Sequence, residues 1–306
     1  MARLLPAALA SSPFSVREAR YRHVPVARLA CKDLLRPHHG ARAHRPAQNL
    51  VERAQQLAPL LSTGQAFSHG TAALMLGLPL PRRMRGTALH VVTIGSDRAM
   101  RRPGVVGHRT RFGARRLLLR DSLRIMHPID IFVALASSLN VGELVELGDA
   151  IVTRFGGHAS LAALREAVMD RRGARGIRRA REALALISTG SRSPGETRLR
   201  LLLQRSGCSD YLPNFRIQSR DGFVACVDIA FPQARVAIEY EGDVHRTDPR
   251  TFRKDITRGE RLRDAGWWLI RATAYDLHRG RGEFLARVRR ALSAAAPPIP
   301  IVEAST

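Results

Sequence analysis

The stretch GFVACVDIAFPQARVAIEYE, residues 222–241, decides the fold of the C-terminal part of the chain. β-Branched and aromatic residues recur on both sides of a short segment that contains Pro232. Proline cannot donate to a central strand ladder, so it marks the connection between two strands. The stretch therefore predicts a hairpin of two antiparallel strands, 222–230 and 235–241.

The two faces of this hairpin differ in chemistry. Because side chains alternate between faces, Asp228, Glu239 and Glu241 fall together on the face opposite the apolar one. A four-residue turn over 231–234 would pair Asp228 with Ala237 and make Glu239 its diagonal neighbour, roughly 7 Å away. Three carboxylates repel one another unless a cation offsets them. A hard divalent cation, Mg²⁺ or Mn²⁺, would do so; ion pairs with surface arginines are the alternative.

Further elements are predicted on either side of the hairpin. Ser193 is placed to cap a helix that carries Glu196 in its first turn, and Gly266 to end a later helix. On that later helix, Asp255 and Arg258 are spaced for a structural ion pair. The remaining predicted elements are the helix 249–265, a strand 267–273 and a final helix 283–294.

The charge of the chain is strongly positive. It has 306 residues, of which 50 are Lys or Arg and 26 Asp or Glu, giving a formal net charge of +24. Residues 1–190 hold 30 of the basic and 12 of the acidic residues, and only Lys32 and Lys254 are lysines. The arginine guanidinium binds phosphate through two parallel hydrogen bonds. The excess of positive charge therefore favours a nucleic-acid partner, DNA. The alternative is that a GC-rich genome encodes arginine wherever a positive charge is tolerated, without any functional role for the charge.

Composition also bounds the compartment and the domains. The three cysteines form no C-x-x-C pair, which argues against a disulfide framework or zinc site. No apolar run approaches the ~18 residues of a membrane span, and we expect a cytoplasmic protein without a membrane partner. The Gly- and Ser-rich segment 190–195 predicts a linker. The predicted domains are a basic helical region 1–189, a second domain 190–296 and a disordered tail 297–306.

The N-terminal region is predicted to contain two short helices within residues 14–45. They are separated by the break at Pro25, an arrangement typical of a helix-turn-helix, although a generic helical hairpin fits as well. In the first case Arg28, Arg36 and Arg42 are candidates for phosphate contacts. Strands are predicted at 89–94 and, as its partner, at 105–109.

The C-terminal motifs resemble a known class of nucleases. Asp228, ten residues, then Glu239-x-Glu241, behind a helix bearing Glu196, resembles the PD-(D/E)xK pattern. The segments SPGETR (193–198), VDIAFP (227–232), IEYEGDVH (238–245) and DAGW (264–267) are similar to a chiefly actinobacterial domain family related to very-short-patch repair endonucleases. The resemblance implies a restriction-endonuclease-like α/β/α domain with a mixed sheet, within an α+β protein.

The same resemblance implies roles for individual residues. Asp228 and Glu239 would be ligands of Mg²⁺ or Mn²⁺, Glu196 an outer ligand or water holder, and His245 a base or proton donor. Glu241 stands where the motif usually has lysine. Glu241 would bind the metal as a third ligand, or Lys254 on the following helix would supply the positive charge that the motif's lysine usually provides.

The N-terminal segments 14–40 and 67–81 resemble the winged-helix region of abortive-infection antitoxins. Together the resemblances imply a metal-dependent DNA endonuclease acting in DNA repair or in defence against foreign DNA. The first alternative is a non-catalytic DNA-binding regulator or antitoxin with a toxin partner. The second is a structural module whose charge reflects codon usage. We expect cleavage to separate the first alternative from the endonuclease, and salt-dependent DNA binding to separate the second from both.

Overall fold

The computed structural model describes residues 4–110, 117–219, 222–242 and 249–294. It is an α+β protein with mixed sheets, as predicted. The chain forms two compact units: Met1–Glu143 with Ala162–Arg181, and Leu144–Leu161 with Glu182–Thr306. The second unit therefore includes a segment well before the predicted linker. In the described residues, no helix is long and apolar enough to cross a membrane.

The first unit is built on a five-stranded mixed sheet in the order β5-β4-β3-β7-β6. The predicted strands at 89–94 and 105–109 are confirmed as neighbours, and they run parallel. The strands of this unit are β1 (Phe14–Ser15), β2 (Ala41–Arg42), β3 (Gln65–Phe67), β4 (Leu89–Ile94), β5 (Val105–Thr110), β6 (Leu118–Arg120) and β7 (Leu123–Ile125). So extensive a sheet was not expected of a region predicted to be helical.

The helices that precede residue 190 include one, Val141–Arg154, most of which belongs to the second unit. They are α1 (Ala7–Ala10), α2 (Val16–Tyr21), α3 (Val26–Leu29), α4 (Leu50–Leu57), α5 (His69–Met75), α6 (Pro128–Leu135), α7 (Val141–Arg154), α8 (Leu161–Asp170) and α9 (Ile177–Leu184), with 3₁₀ turns at Ala58–Leu60 and Arg82–Met84. Ser15 caps α2, since its side chain accepts from Glu18 N at 3.1 Å. The second predicted short helix is a single turn.

The second unit consists of a four-stranded sheet with helices. Its elements are α10 (Pro194–Arg205), β8 (Leu212–Ser219), β9 (Gly222–Phe231), β10 (Val236–Glu241), α11 (Pro249–Asp264), β11 (Trp268–Thr273), α12 (Ala274–Leu277) and α13 (Arg281–Ser293). The strand order is β11-β10-β9-β8. β8, β9 and β10 are antiparallel neighbours, whereas β10 and β11 are parallel and are joined through α11.

The register of the β9–β10 hairpin differs from the predicted one by two residues. The observed pairs are Val236 with Phe231, Ala237 with Ala230 and Ile238 with Ile229. The predicted pairing of Asp228 with Ala237 is therefore wrong, because Ala237 pairs with Ala230. The turn is 232–235, where Arg235 adopts a left-handed φ of 49° and its N donates to Pro232 O. A shift by two preserves the face of every side chain.

The apolar face of this hairpin packs into the larger core of the unit. Ile229, Phe231, Val236 and Ile238 are buried with residues of α10 and α13, which confirms the predicted apolar face. The opposite face is covered too, because Ala230 and Ala237 are buried in a second cluster with Leu262 of α11. Val227 belongs to this second cluster, although it was predicted on the apolar face. Asp228 and Glu239 lie next to Ala230 and Ala237 along the two strands, at the end of the face that α11 covers.

A buried polar network joins α7 to α10 within the second unit. Asp149 and Arg200 are 1% and 4% exposed in their side chains, and Arg200 Nη2 donates to Asp149 Oδ2 at 2.7 Å. Thr197 Oγ1 donates to the same oxygen at 2.9 Å, and Ser188 N donates to Asp149 Oδ1 at 2.8 Å. Helix α7 therefore supplies a buried carboxylate on which the first helix of the sheet domain depends.

Candidate active site

Asp228 lies on β9 with its side chain partly buried. Its Oδ2 accepts a hydrogen bond from the backbone N of Tyr240 at 2.8 Å, which fixes the carboxylate against β10. Burial raises the pKa of Asp228, and the Tyr240 hydrogen bond and the charges of Arg258 and Arg192 only partly offset that rise. Ionising the Asp228 carboxyl therefore costs more free energy in the folded chain than in the unfolded chain.

Glu196 is held in the first turn of α10 by the predicted cap. Ser193 Oγ accepts from Glu196 N at 3.2 Å, and Glu196 Oε2 accepts from Arg192 N at 2.7 Å. Burial raises the pKa of Glu196, and repulsion from Asp228 raises it further. The two carboxyls that the resemblance assigned to one site thus lie within electrostatic reach of each other.

Gly195 allows α10 to approach β10 this closely. A Cβ built on Gly195 would lie 2.0 Å from Cε1 and 2.3 Å from Cδ1 of the Tyr240 ring. No real side chain tolerates such distances, so only glycine fits between the helix and the ring. The start of α10, and with it Glu196, is therefore positioned against the strand that carries Glu239.

Glu239 is paired with an arginine from α11. Arg258 Nη2 lies 2.5 Å from Glu239 Oε1, with side-chain exposures of 37% and 15%. The same Nη2 donates a short hydrogen bond to the carbonyl oxygen of Cys226 on β9. One guanidinium therefore bridges β9 and β10 beside Asp228.

Glu241 is paired as well, further along β10. Arg271 Nε of β11 lies 3.0 Å from Glu241 Oε1, and both side chains are about two-fifths exposed. An exposed pair of this kind contributes roughly 0–1 kcal/mol. Both glutamates of β10 therefore form ion pairs with arginines, as the alternative interpretation of the acidic face predicts.

Two predicted site residues cannot be compared with this geometry. His245 lies outside the described residues, as does the tail 297–306. Lys254 falls within α11, but its side chain also lies outside the described part. The predicted partner of Arg258 was Asp255, whereas the described contacts of Arg258 are with Glu239 and Cys226.

Arg258 is the residue of this site that the sequence interpretation missed. A signal for it was present in the spacing of α11. Leu262 is buried against the sheet, and residues four apart lie on the same helix face. Arg258 therefore had to point toward the same sheet one turn earlier, where the carboxylates are.

The donor set fits a hard divalent cation in part. Asp228 and Glu239 offer carboxylate oxygens at one place, and Mg²⁺ is commonly bound through one or two carboxylates, with substrate phosphate and water completing the shell. Glu239 would have to exchange Arg258 for the cation. In the described residues, no set of three or more His, Cys, Asp or Glu side chains is placed to hold a metal ion.

The N-terminal arginines predicted to contact phosphate differ in their surroundings. Both terminal nitrogens of Arg28 donate to Asp33, at 2.9 and 2.7 Å, and its side chain is 9% exposed. Arg42 donates to the carbonyl oxygens of Leu29 and Ala41. Arg36 is exposed. Phosphate contacts at Arg28 would require its pair with Asp33 to open.

Three histidine rings are stacked in the first unit. The centroids of His69 and His108 are 3.6 Å apart, those of His90 and His108 are 5.2 Å apart, and the ring planes differ by 15° and 11°. His90 Nδ1 and His108 Nε2 share a hydrogen bond of 2.9 Å. His69 has a left-handed φ of 47°.

Acidification should destabilise the first unit through these histidines. Burial lowers the pKa of His69 to about 3 and that of His108 to about 4, with repulsion between the rings adding to both. The unfolded chain takes up these protons near pH 6.5. Stability is therefore full above pH 6.5 and falls as the pH drops toward 4, by up to about 1.4 kcal/mol per pH unit for each group.

Thermal unfolding followed by circular dichroism between pH 7 and 4 measures this dependence. His69→Gln should flatten it, whereas His39→Gln, at an exposed position, should leave it unchanged. Arg109, Arg171 and Asp130 line the same cavity of about 200 Å³ as His69 and His108. Equal slopes for the wild type and His69→Gln would show that His69 does not contribute to the response.

Comparison with known proteins identifies relatives but no activity. No protein-family model matches the chain. Two uncharacterized proteins of Mycobacterium tuberculosis, from strains CDC 1551 / Oshkosh and ATCC 25618 / H37Rv, are each 32% identical to it over 132 residues. The match covers 43% of this chain and 49% of each relative. The chain thus spans about half the length of the curated relatives it matches.

Proposed function

We propose that this protein is a metal-dependent DNA endonuclease whose site is formed by Glu196, Asp228 and Glu239. The observation that carries the proposal is the crowding of carboxyls at the end of the covered sheet face. Burial raises the pKa of both Asp228 and Glu196, and the two repel each other. Keeping these crowded carboxyls ionised costs free energy, and a bound cation would offset that cost by neutralising their charge.

Asp228 and Glu239 would hold Mg²⁺ or Mn²⁺, and Glu196 would orient water at its edge. When bound, such a cation polarises a phosphoryl oxygen and lowers the pKa of a bound water. Tyr240 N keeps the Asp228 carboxylate oriented, and Gly195 keeps Glu196 close to it. Glu241 would join the ligands only by leaving Arg271. His245 remains the proposed base or proton donor.

The topology of the second unit supports a restriction-endonuclease-like fold. A helix leads into three antiparallel strands, and a crossover helix then returns to a parallel fourth strand. The first unit would bind DNA as a winged-helix-like region, because residues 1–143 and 162–181 carry 29 basic and 9 acidic residues. Phosphate contacts made by this excess would weaken steeply with salt.

Cleavage of a plasmid and of a mismatch-containing duplex by the purified protein tests the proposal. We expect cutting with Mg²⁺ or Mn²⁺, none with EDTA, and none by Glu239→Ala. Glu260→Ala is the matched control, since Glu260 is an exposed acid on α11 outside the carboxylate cluster. Cutting that survives in Glu239→Ala would contradict the assignment of the site.

A regulator or antitoxin that binds DNA without cutting it is the second candidate function. One observation favours it: both glutamates of β10 are already neutralised by arginines. A protein that retards DNA in a gel yet cuts with neither metal would support this candidate. A toxin partner would then be sought among proteins that co-purify with it.

A further inference from the structure

Arg258 is in direct contact with a carboxylate of the proposed site. Its Nη2 contacts the Glu239 carboxylate and the Cys226 carbonyl, and its charge acts on Asp228. With a side chain 37% exposed, it also reaches solvent. Arg271, by contrast, pairs with Glu241 at the outer end of β10. Arg258 is thus a cation that contacts a carboxylate of the proposed site and is partly open to solvent.

Phosphodiester hydrolysis needs a positive charge at this place. Water adds to phosphorus as the bond to the leaving ester oxygen breaks, and that oxygen takes up a proton. Negative charge builds on the non-bridging oxygens as this proceeds, and a fixed donor aimed at them stabilises it. Glu241, at the position usually held by lysine in the resembled motif, cannot provide it.

We propose that Arg258 is the catalytic cation of this site and that it exchanges partners. In the structure Arg258 is paired with Glu239. If Asp228 and Glu239 held a divalent cation, the Arg258 guanidinium would be able to leave Glu239 and donate to a non-bridging phosphate oxygen. Arginine suits this role because it stays protonated and binds phosphate oxygens through two donors. The inference rests on the proposed nuclease function.

The exchange predicts opposite effects on metal binding and on cleavage. Arg258→Gln removes the competitor for Glu239, so full-length protein without DNA should bind Mn²⁺ about three- to tenfold more tightly. At saturating Mn²⁺ its single-turnover cleavage rate should fall about 100-fold or more. Arg258→Lys retains a charge and should cut within about tenfold of the wild type. Mn²⁺ binding is measured from the electron paramagnetic resonance of the free ion.

Arg261→Gln provides the matched control, because Arg261 is exposed on the same helix and should leave both quantities unchanged. If Arg258→Gln cuts like the wild type at saturating Mn²⁺, the inference is overturned while the nuclease function stands. Weaker Mn²⁺ binding in Arg258→Gln would likewise overturn it and assign the residue a structural role. A wild-type protein that neither binds Mn²⁺ nor cuts would overturn the proposed function itself, and the inference with it.

Discussion

Replacing Asp149 with alanine should lower the free energy of unfolding of the second unit by about 3–5 kcal/mol. The carboxylate is buried and accepts from Arg200, Thr197 and the backbone N of Ser188. Its removal leaves the Arg200 guanidinium, 4% exposed, charged and without its counter-ion in the interior. An isolated buried charge costs far more than the pair gains over an apolar substitute.

Urea unfolding followed by tryptophan fluorescence measures this loss in the right unit, since Trp267 and Trp268 are the only tryptophans of the chain. Glu146→Ala is the matched control. It breaks a pair between the same two helices, with Arg198 at 2.7 Å, in which the arginine is 42% exposed, and should cost less than about 1 kcal/mol. Equal losses for the two variants would refute the special cost assigned to the buried pair.

Asp228→Asn should abolish cleavage while keeping or raising stability. Loss of a ligand carboxylate should reduce the rate by about 10³-fold or more, equivalent to about 4 kcal/mol. The amide oxygen can still accept from Tyr240 N. Because the folded pKa of Asp228 lies above its unfolded value, the charged form destabilises the fold at neutral pH, and a neutral amide removes that cost.

Thermal unfolding at pH 5 and pH 8 beside cleavage assays checks both parts of this prediction. The gain in melting temperature should be larger at pH 8, where the wild-type carboxylate is charged in both states. A variant that loses stability as well as cleavage would indicate that Asp228 serves the fold rather than the chemistry.

The hairpin shows how far alternation of residue types predicts structure. The faces of Ile229, Phe231, Val236 and Ile238 follow from periodicity, because a strand has only two faces. The register does not, since it depends on Arg235 adopting a left-handed backbone that nothing in its side chain demands. An error of two residues changed the neighbour of Asp228 without changing its face.

Other features of the second unit were not predicted from the sequence, for different reasons. No strand was predicted over 212–219, yet β8 forms there and pairs with β9, with Asn214 at a left-handed φ of 47°. The predicted linker at 190–195 lies inside the second unit and overlaps the start of α10 at Pro194. What composition does not reveal is that Asp149, some forty residues earlier in the chain, completes the hydrogen bonding of α10. The partner of Arg258 likewise depended on tertiary packing.

Gly195 has a consequence for how such proteins diverge. It carries no functional group, yet its missing side chain allows α10 to lie against Tyr240. A lineage could retain Glu196, Asp228 and Glu239 and still lose the site by a single change of this glycine to alanine. Descendants that preserve the acids but not the glycine would then be degenerate copies, and surveys that count carboxylates alone would score them as intact.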